Sequence, residues 1–437
     1  MDWIVTGLTA ALCLYMAWTI GANDVANSMG PPVGAGCFTI RQALLIAAIC
    51  EFAGSVLVGS DVTDTIRKGI VEPEALARAP EVLCLGMACA LLASALWLHI
   101  ATWLGMPVST THSIVGAVAG FGVVAAGIDS VHWERMAEIV LSWFISPIAG
   151  LALGYGGFKC ILRFVLTRDQ PLAAALRVTP VIVFVTTLVV ALATIYDGMK
   201  NLVKAGSVLA PYLTGTRAIV VSLGISFIAS VVSMFLLRRA ARGTTDVPIA
   251  EQLRRVERVF VPLAIMAACS VSFAHGANDV ANAVGPLAAV VDIVKTGTVK
   301  MKVTVPLWIL ALGGVGIVLG LWTYGYKVMR TLGKEITEIT PSRAVATGIA
   351  TAATVLTCTR MGLPVSTSHC VVGAVLGVGL ARGLGAVNRR VTRNIIGSWL
   401  ATVPAAAGLT MILFVLGHHL GLDACLKQIM PALPPAP

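Results

Sequence analysis

The sequence predicts an all-α polytopic membrane protein, with about twelve membrane elements in two inverted repeats that contain broken helices or re-entrant hairpins. Three observations lead there. Of 437 residues, 57% are hydrophobic and only 12% charged, with a mean hydropathy of +0.89. Apolar runs of the roughly 20 residues needed to cross the hydrocarbon recur along the whole chain, whereas barrel strands would be shorter and alternating. Finally, Gly21–Pro31, GANDVANSMGP, returns as Gly276–Pro286, GANDVANAVGP, 255 residues later.

Taken in order, the first five elements are Trp3–Met29, Ala43–Ser60, Val82–Trp103, Pro107–Ile128 and Trp133–Lys159. Val178–Tyr196 and Ala218–Leu237 follow, and then a polar connection, Arg238–Arg258. The last five are Phe260–Val284, Val303–Tyr326, Ala344–Thr359, Pro364–Leu380 and Thr392–Leu420. The organisation is therefore a repeat over residues 1–160, two linking helices and a basic loop over 161–258, and a second repeat over 259–437. A further match supports it: PVSTTHSIVGAVAG (107–120) and PVSTSHCVVGAVLG (364–377) agree at ten of fourteen positions.

The net charge of +10 sits in short connections between apolar runs, so it reads as a topology signal rather than a nucleic-acid surface. Arg238, Arg239, Arg242, Arg254, Arg255 and Arg258 make residues 238–258 a cytoplasmic loop. Seven elements precede the second repeat, an odd number, so the repeats have opposite orientations and both termini lie outside the cell membrane. The three lysines in Asp292–Lys302 run against this scheme. The ten cysteines, scattered without CxxC spacing, read as small buried hydrophobes.

The duplicated signature puts Asp24 and Asp279 inside apolar sequence, where an aspartate costs about 2.5 to 3.5 kcal/mol on insertion scales. Each copy joins a carboxylate to two amides: Asn23, Asp24 and Asn27, then Asn278, Asp279 and Asn282. Flanking glycines weaken the helix and Pro31 or Pro286 is expected to stop it, freeing carbonyls at a depth where irregular backbone is tolerated only along a cavity. Oxygen-only ligands suit a hard cation such as sodium. Asn23, Asp24, Asn278 and Asp279 are the expected cation ligands.

The second element is PVST(T/S)H. Proline at a helix's first turn would leave Ser109, Thr110 and Thr111, and Ser366, Thr367 and Ser368, there with free hydroxyls and amides. Such a helix start binds phosphate-like oxyanions without Arg or Lys; these six residues, with Asn27 and Asn282, are the expected anion contacts. A simple Ser/Thr cap is the competing reading. His112 and His369 are candidates for coupling or for packing. Glu51, charged within an apolar run, implies either a pathway or an ion pair with Arg41 or Arg67.

Both signatures, both PVST(T/S)H segments and the central basic connection resemble the PiT family of inorganic phosphate transporters over nearly the whole chain. That resemblance implies cation-coupled uptake of inorganic phosphate by a dimeric two-repeat carrier of the plasma (inner) membrane. It makes Asp24 and Asp279 the family's essential aspartates and the two Ser/Thr clusters its phosphate contacts. Many relatives carry a Glu where this chain has Gly348. A branch of the family moves sulfate, so both oxyanions stay open. The expected mechanism is alternating access at mid-membrane, with no cofactor beyond the coupling cation, sodium ahead of the proton. A dianion entering against 100 mV costs about 4.6 kcal/mol, so cations must accompany it. The rival from another class is an intramembrane enzyme with an aspartyl dyad.

Overall fold

A computed structural model describes residues 2–59, 70–71, 76, 79–192, 194–195, 215–240, 247–299, 305–361, 363 and 365–429. Among these the chain is helical, and nine helices are long and apolar enough to cross a membrane. The twelve principal helices are α1 (Asp2–Gly34), α2 (Ile40–Val58), α3 (Pro80–Trp103), α4 (Thr110–Ala126), α5 (Trp133–Ile161), α6 (Pro171–Leu192), α7 (Gly215–Ala240), α8 (Ile249–Thr296), α9 (Leu307–Tyr324), α10 (Pro341–Arg360), α11 (Thr367–Arg382) and α12 (Arg389–His419).

The pairing of these helices exposes the relation between the halves. The first signature helix, α1, packs on α9, and the second, α8, packs on α2. The hairpin helices follow suit: α4 lies on α12 and α11 on α5. Contacts advance together along both partners, from Gly316 against Ala17 to Gly325 against Val25, and from Gly54 against Phe273 to Gly59 against Val280. Hence α1 runs parallel to α9 and α8 parallel to α2. Since α8 and α9 are consecutive crossings, α8 is antiparallel to its mate α1, and the repeats are inverted.

Close approach explains the signature glycines. A side chain on Gly21 would overlap the carbonyl of Ile317, and one on Gly276 the carbonyl of Glu51. The glycines therefore let α1 and α8 be gripped by their neighbours; they do not break them. Both helices run unbroken through the signature, with Pro31, Pro32 and Pro286 inside them. This corrects the expected break at the prolines. What proline does remove is an amide: the carbonyls of Asn27 and Asn282 lack the N–H four residues on.

The interruptions lie instead between α3 and α4 and between α10 and α11. Before α3, the carbonyl of Ile70 accepts from the amide of His132, after α4, at 3.0 Å. Before α10, the carbonyl of Ile336 accepts from Asn388, after α11, at 2.9 Å. Each pair thus enters and leaves on one side, as a re-entrant hairpin with no net crossing. Removing two elements from seven leaves the parity of the sequence argument intact. At 17 and 16 residues, α4 and α11 are about 25 Å long, shorter than the hydrocarbon core.

Two further boundaries move. Helix α8 has 48 residues, about 72 Å, so Arg254, Arg255 and Arg258 are helical and not loop. Glu251 pairs with Arg254 at 3.3 Å and Arg255 at 3.1 Å. Glu257 accepts from the amide and hydroxyl of Ser342 at 2.9 and 2.8 Å, capping the start of α10. Helix α4 begins at Thr110 with Ser109 as its cap, so Pro107 precedes the helix instead of opening it. Pro364 and Arg67 lie outside the described residues.

Candidate functional site

The two hairpin tips meet between α1 and α8. The hydroxyl of Thr111 lies 3.1 Å from the carbonyl of Val365 and that of Ser368 lies 3.2 Å from the carbonyl of Val108, each sharing its one proton with an aspartate of the other repeat. Each tip is held first by its own repeat. Asn23 donates to Thr102 (2.9 Å) and the Met106 carbonyl (3.1 Å), and accepts from the amide of Val108 at 3.3 Å. In the second half, Asn278 donates to the Val365 carbonyl at 2.9 Å and accepts from Thr359 at 3.2 Å.

The functional groups then cross between repeats. Asp24 accepts from Ser368 at 3.2 Å, and Asn27 donates to Thr367 and Ser368 at 3.2 and 2.9 Å. Reciprocally, Asp279 accepts from Thr111 at 3.2 Å, and Asn282 donates to Thr110 and Thr111 at 3.4 and 3.2 Å. Thr367 also donates to the second oxygen of Asp279 at 2.9 Å. Ser109 and Ser366 have a different part. Their side chains accept from the amides of His112 and His369 at 3.1 and 3.2 Å, the expected cap geometry. All six residues of the two Ser/Thr clusters are buried.

His275 is the residue that the sequence reading missed. One helical turn before Asp279, its Nε2 lies 3.2 Å from Asp279 and 3.8 Å from Asp24, while Nδ1 lies 3.2 Å from Glu51. Glu51 therefore faces an imidazole of α8, which corrects the expected partnership with Arg41. The signal was available: His275 is an ionisable residue in an apolar run, and its counterpart in the first signature is Ile20.

Three buried carboxylates, Asp24, Glu51 and Asp279, surround this one imidazole. Oxygens of Asp24 and Asp279 and a ring nitrogen of His275 lie within 4.8 Å of one another. Two like charges at that spacing repel by about 3 to 4 kcal/mol at an effective dielectric of about 20. Such a group holds negative charge best with a cation beside it. Imidazole nitrogen is a poor ligand for sodium, so the oxygens of Asp24, Asp279 and the amides are the part of the set that fits a hard cation.

His112 and His369 stand apart from the carboxylates. His112 stacks on Trp143 and His369 on Trp399, at 3.7 and 3.6 Å between ring centroids, and the two imidazoles meet edge to face at 4.4 Å. His369 Nδ1 also lies 3.2 Å from the Trp143 carbonyl.

Residues 20–410 match the model of the phosphate transporter family. The chain belongs to that family. Among its relatives, a Pyrococcus abyssi protein provisionally named a phosphate permease is 45% identical, over 93% of this chain and 96% of its own length. The chloroplastic inorganic phosphate transporter 2-1 of Arabidopsis thaliana is 42% identical over 91% of this chain and 70% of its own. A solved structure titled the sodium-dependent phosphate transporter superposes with a TM-score of 0.87 at 41% identity, covering 95% of this chain and 100% of that one. All three are named as carriers. Membership of this transporter family speaks against the intramembrane-enzyme reading, although two aspartates do share one buried site here.

Proposed function

We propose that this family member is a sodium-coupled symporter of inorganic phosphate that works by alternating access. The observation that carries the reading is the excess of buried carboxylate in a site shared by both repeats. Asp24, Asp279 and Glu51 exceed the single imidazole of His275, and a buried unpaired charge costs several kcal/mol. Sodium arriving with the anion offsets that cost. Asp24, Asp279, Asn23 and Asn278 take the cations; Thr110, Thr111, Thr367 and Ser368 take the phosphate, together with Asn27 and Asn282. The first-turn amides of α4 and α11 have no acceptor within their helices and add donors for the anion.

The hydroxyls that now bond Asp24 and Asp279 are the ones the phosphate needs. Cation binding at the carboxylates releases them, so the two cargoes favour each other. Because the hairpins enter from opposite faces and meet tip to tip, withdrawing one tip opens the site to one side while the other stays shut.

The test uses purified protein in liposomes and labelled phosphate, with a sodium gradient, a proton gradient or neither. Sodium-driven accumulation is expected, with unlabelled sulfate competing poorly because it has no proton to donate to the oxygen of Asn282, unpartnered among the described residues. Uptake indifferent to both gradients would overturn symport; uptake driven by protons alone would overturn sodium as the partner.

A further inference from the structure

Behind the hairpins lies an apolar cavity of about 480 Å³ between α5 and α12. Its inner wall is the stacked set His112, Trp143, His369 and Trp399, with Val372 and Leu376 of α11 beside them. Its rim carries Phe144, Ile148 and Leu400, exposed by 61, 65 and 72%. No part of the transport reading uses this space.

We propose that the cavity is a binding slot for one phospholipid acyl chain. Depth identifies the occupant. Ten of the fifteen lining residues form repeat-related pairs, among them His112 with His369 and Trp143 with Trp399; Ile148, Leu151, Val372, Gly373 and Leu376 line the cavity without their mates. A cavity that holds both members of these pairs spans the axis relating the repeats and extends from it along α5 and α11. In an inverted repeat that axis lies in the membrane plane at mid-depth, beyond the reach of water and headgroups. An opening there meets hydrocarbon, and the rim side chains are those that hydrocarbon solvates. The volume falls within the range of small-molecule pockets, about 300 to 1,000 Å³.

The slot has a mechanical connection to the transport site. His112 follows Thr111 and His369 follows Ser368, the residues bonded to Asp279 and Asp24. Their rings stack on Trp143 and Trp399, so the slot's inner wall is also the anchorage of both hairpin tips. A chain lying against it supports that anchorage and leaves when the tips move.

The experiment is photo-crosslinking in proteoliposomes of phosphatidylglycerol whose acyl chains end in a diazirine, with adducts mapped by mass spectrometry. Adducts are expected on the recessed residues Val372, Leu376 or Trp143. Leu376→Trp, which fills the slot, should remove these adducts, while those on the outer face of α7, at Phe227 and Leu236, persist and show that the variant is folded and inserted. Adducts confined to exposed faces, with none on the recessed residues, would overturn the proposal. So would cross-linking between copies of an Ile148→Cys variant without recessed adducts, which would give this face to a second copy. Slot adducts that persist unchanged in Leu376→Trp, and equally in Val372→Phe, would also count against it.

Discussion

Asp24 and Asp279 hold matching positions in α1 and α8, yet one is nearly saturated and the other is not. Asp279 accepts from Thr111, Asn278 and Asn282 on one oxygen and from Thr367 on the other, with His275 at 3.2 Å. Asp24 accepts from Ser368 on Oδ1, while Oδ2 has no hydrogen-bond partner among the described residues and lies 3.8 Å from His275. One difference beside the signature, His275 against Ile20, adds to this asymmetry by setting an imidazole 3.2 Å from Asp279 and 3.8 Å from Asp24. Asp279 is the anchored member, hydrogen-bonded to both hairpins, with His275 standing 3.2 Å from it and 3.2 Å from Glu51 of α2. Asp24 is the member with an oxygen to give to a passing cation.

Replacing each aspartate in turn is the sharpest way to break this comparison. Asp24→Asn should abolish sodium-driven uptake and leave the thermal midpoint of the detergent-purified protein nearly unchanged. Asp279→Asn should abolish uptake and destabilise the fold by about 3 to 5 kcal/mol, the range for removing one partner of a buried ion pair. Uptake and melting of both variants decide it; equal destabilisation would mean that the asymmetry of the hydrogen bonds carries no energetic weight.

A smaller effect tests the link to α2. His275→Gln and Glu51→Gln should each lower stability, and the double variant should lose less than the two together. The coupling expected for buried neighbours of this kind is about 1 to 3 kcal/mol. Additive losses in a melting comparison would show that the 3.2 Å approach of His275 to Glu51 does not tie α2 to α8.

Much of this fold was legible because the membrane allows so little. Twelve apolar elements and a repeat at a nearly constant offset gave the helix order, and the inversion followed from parity. The hairpins were harder to place, since whether α3 and α4 cross or re-enter depends on Ile70 and His132 meeting, a long-range contact that hydropathy does not encode. The break expected at Pro31 and Pro286 failed for a related reason. Local propensity counts the lost amide, but with α2 and α9 packed on the signature glycines the helices continue through the prolines. The site residues were found as types and by duplication. Their crossing pattern, Asp24 to Ser368 and Asp279 to Thr111, joins residues 344 and 168 positions apart and belongs to the assembled fold.

The smallest expected effect separates the two threonines that hold the signature asparagines. Thr102 accepts from Asn23, whose amide also reaches the Met106 carbonyl and whose oxygen is served by the Val108 amide. Thr102→Val therefore leaves Asn23 with a partner at each end. Thr359 instead shares its one proton between the oxygen of Asn278 at 3.2 Å and the Val355 carbonyl at 2.9 Å, so Thr359→Val takes the side-chain donor away from a buried acceptor, at a cost of about 1 kcal/mol. Because Asn278 also donates to Asp279 at 3.1 Å, its loosening reaches the anchored carboxylate. Sodium titrations of uptake should show an apparent affinity lower by roughly fivefold in Thr359→Val, equivalent to about 1 kcal/mol, and little changed in Thr102→Val. The reverse order would assign the anchoring role to the first repeat and Asp24.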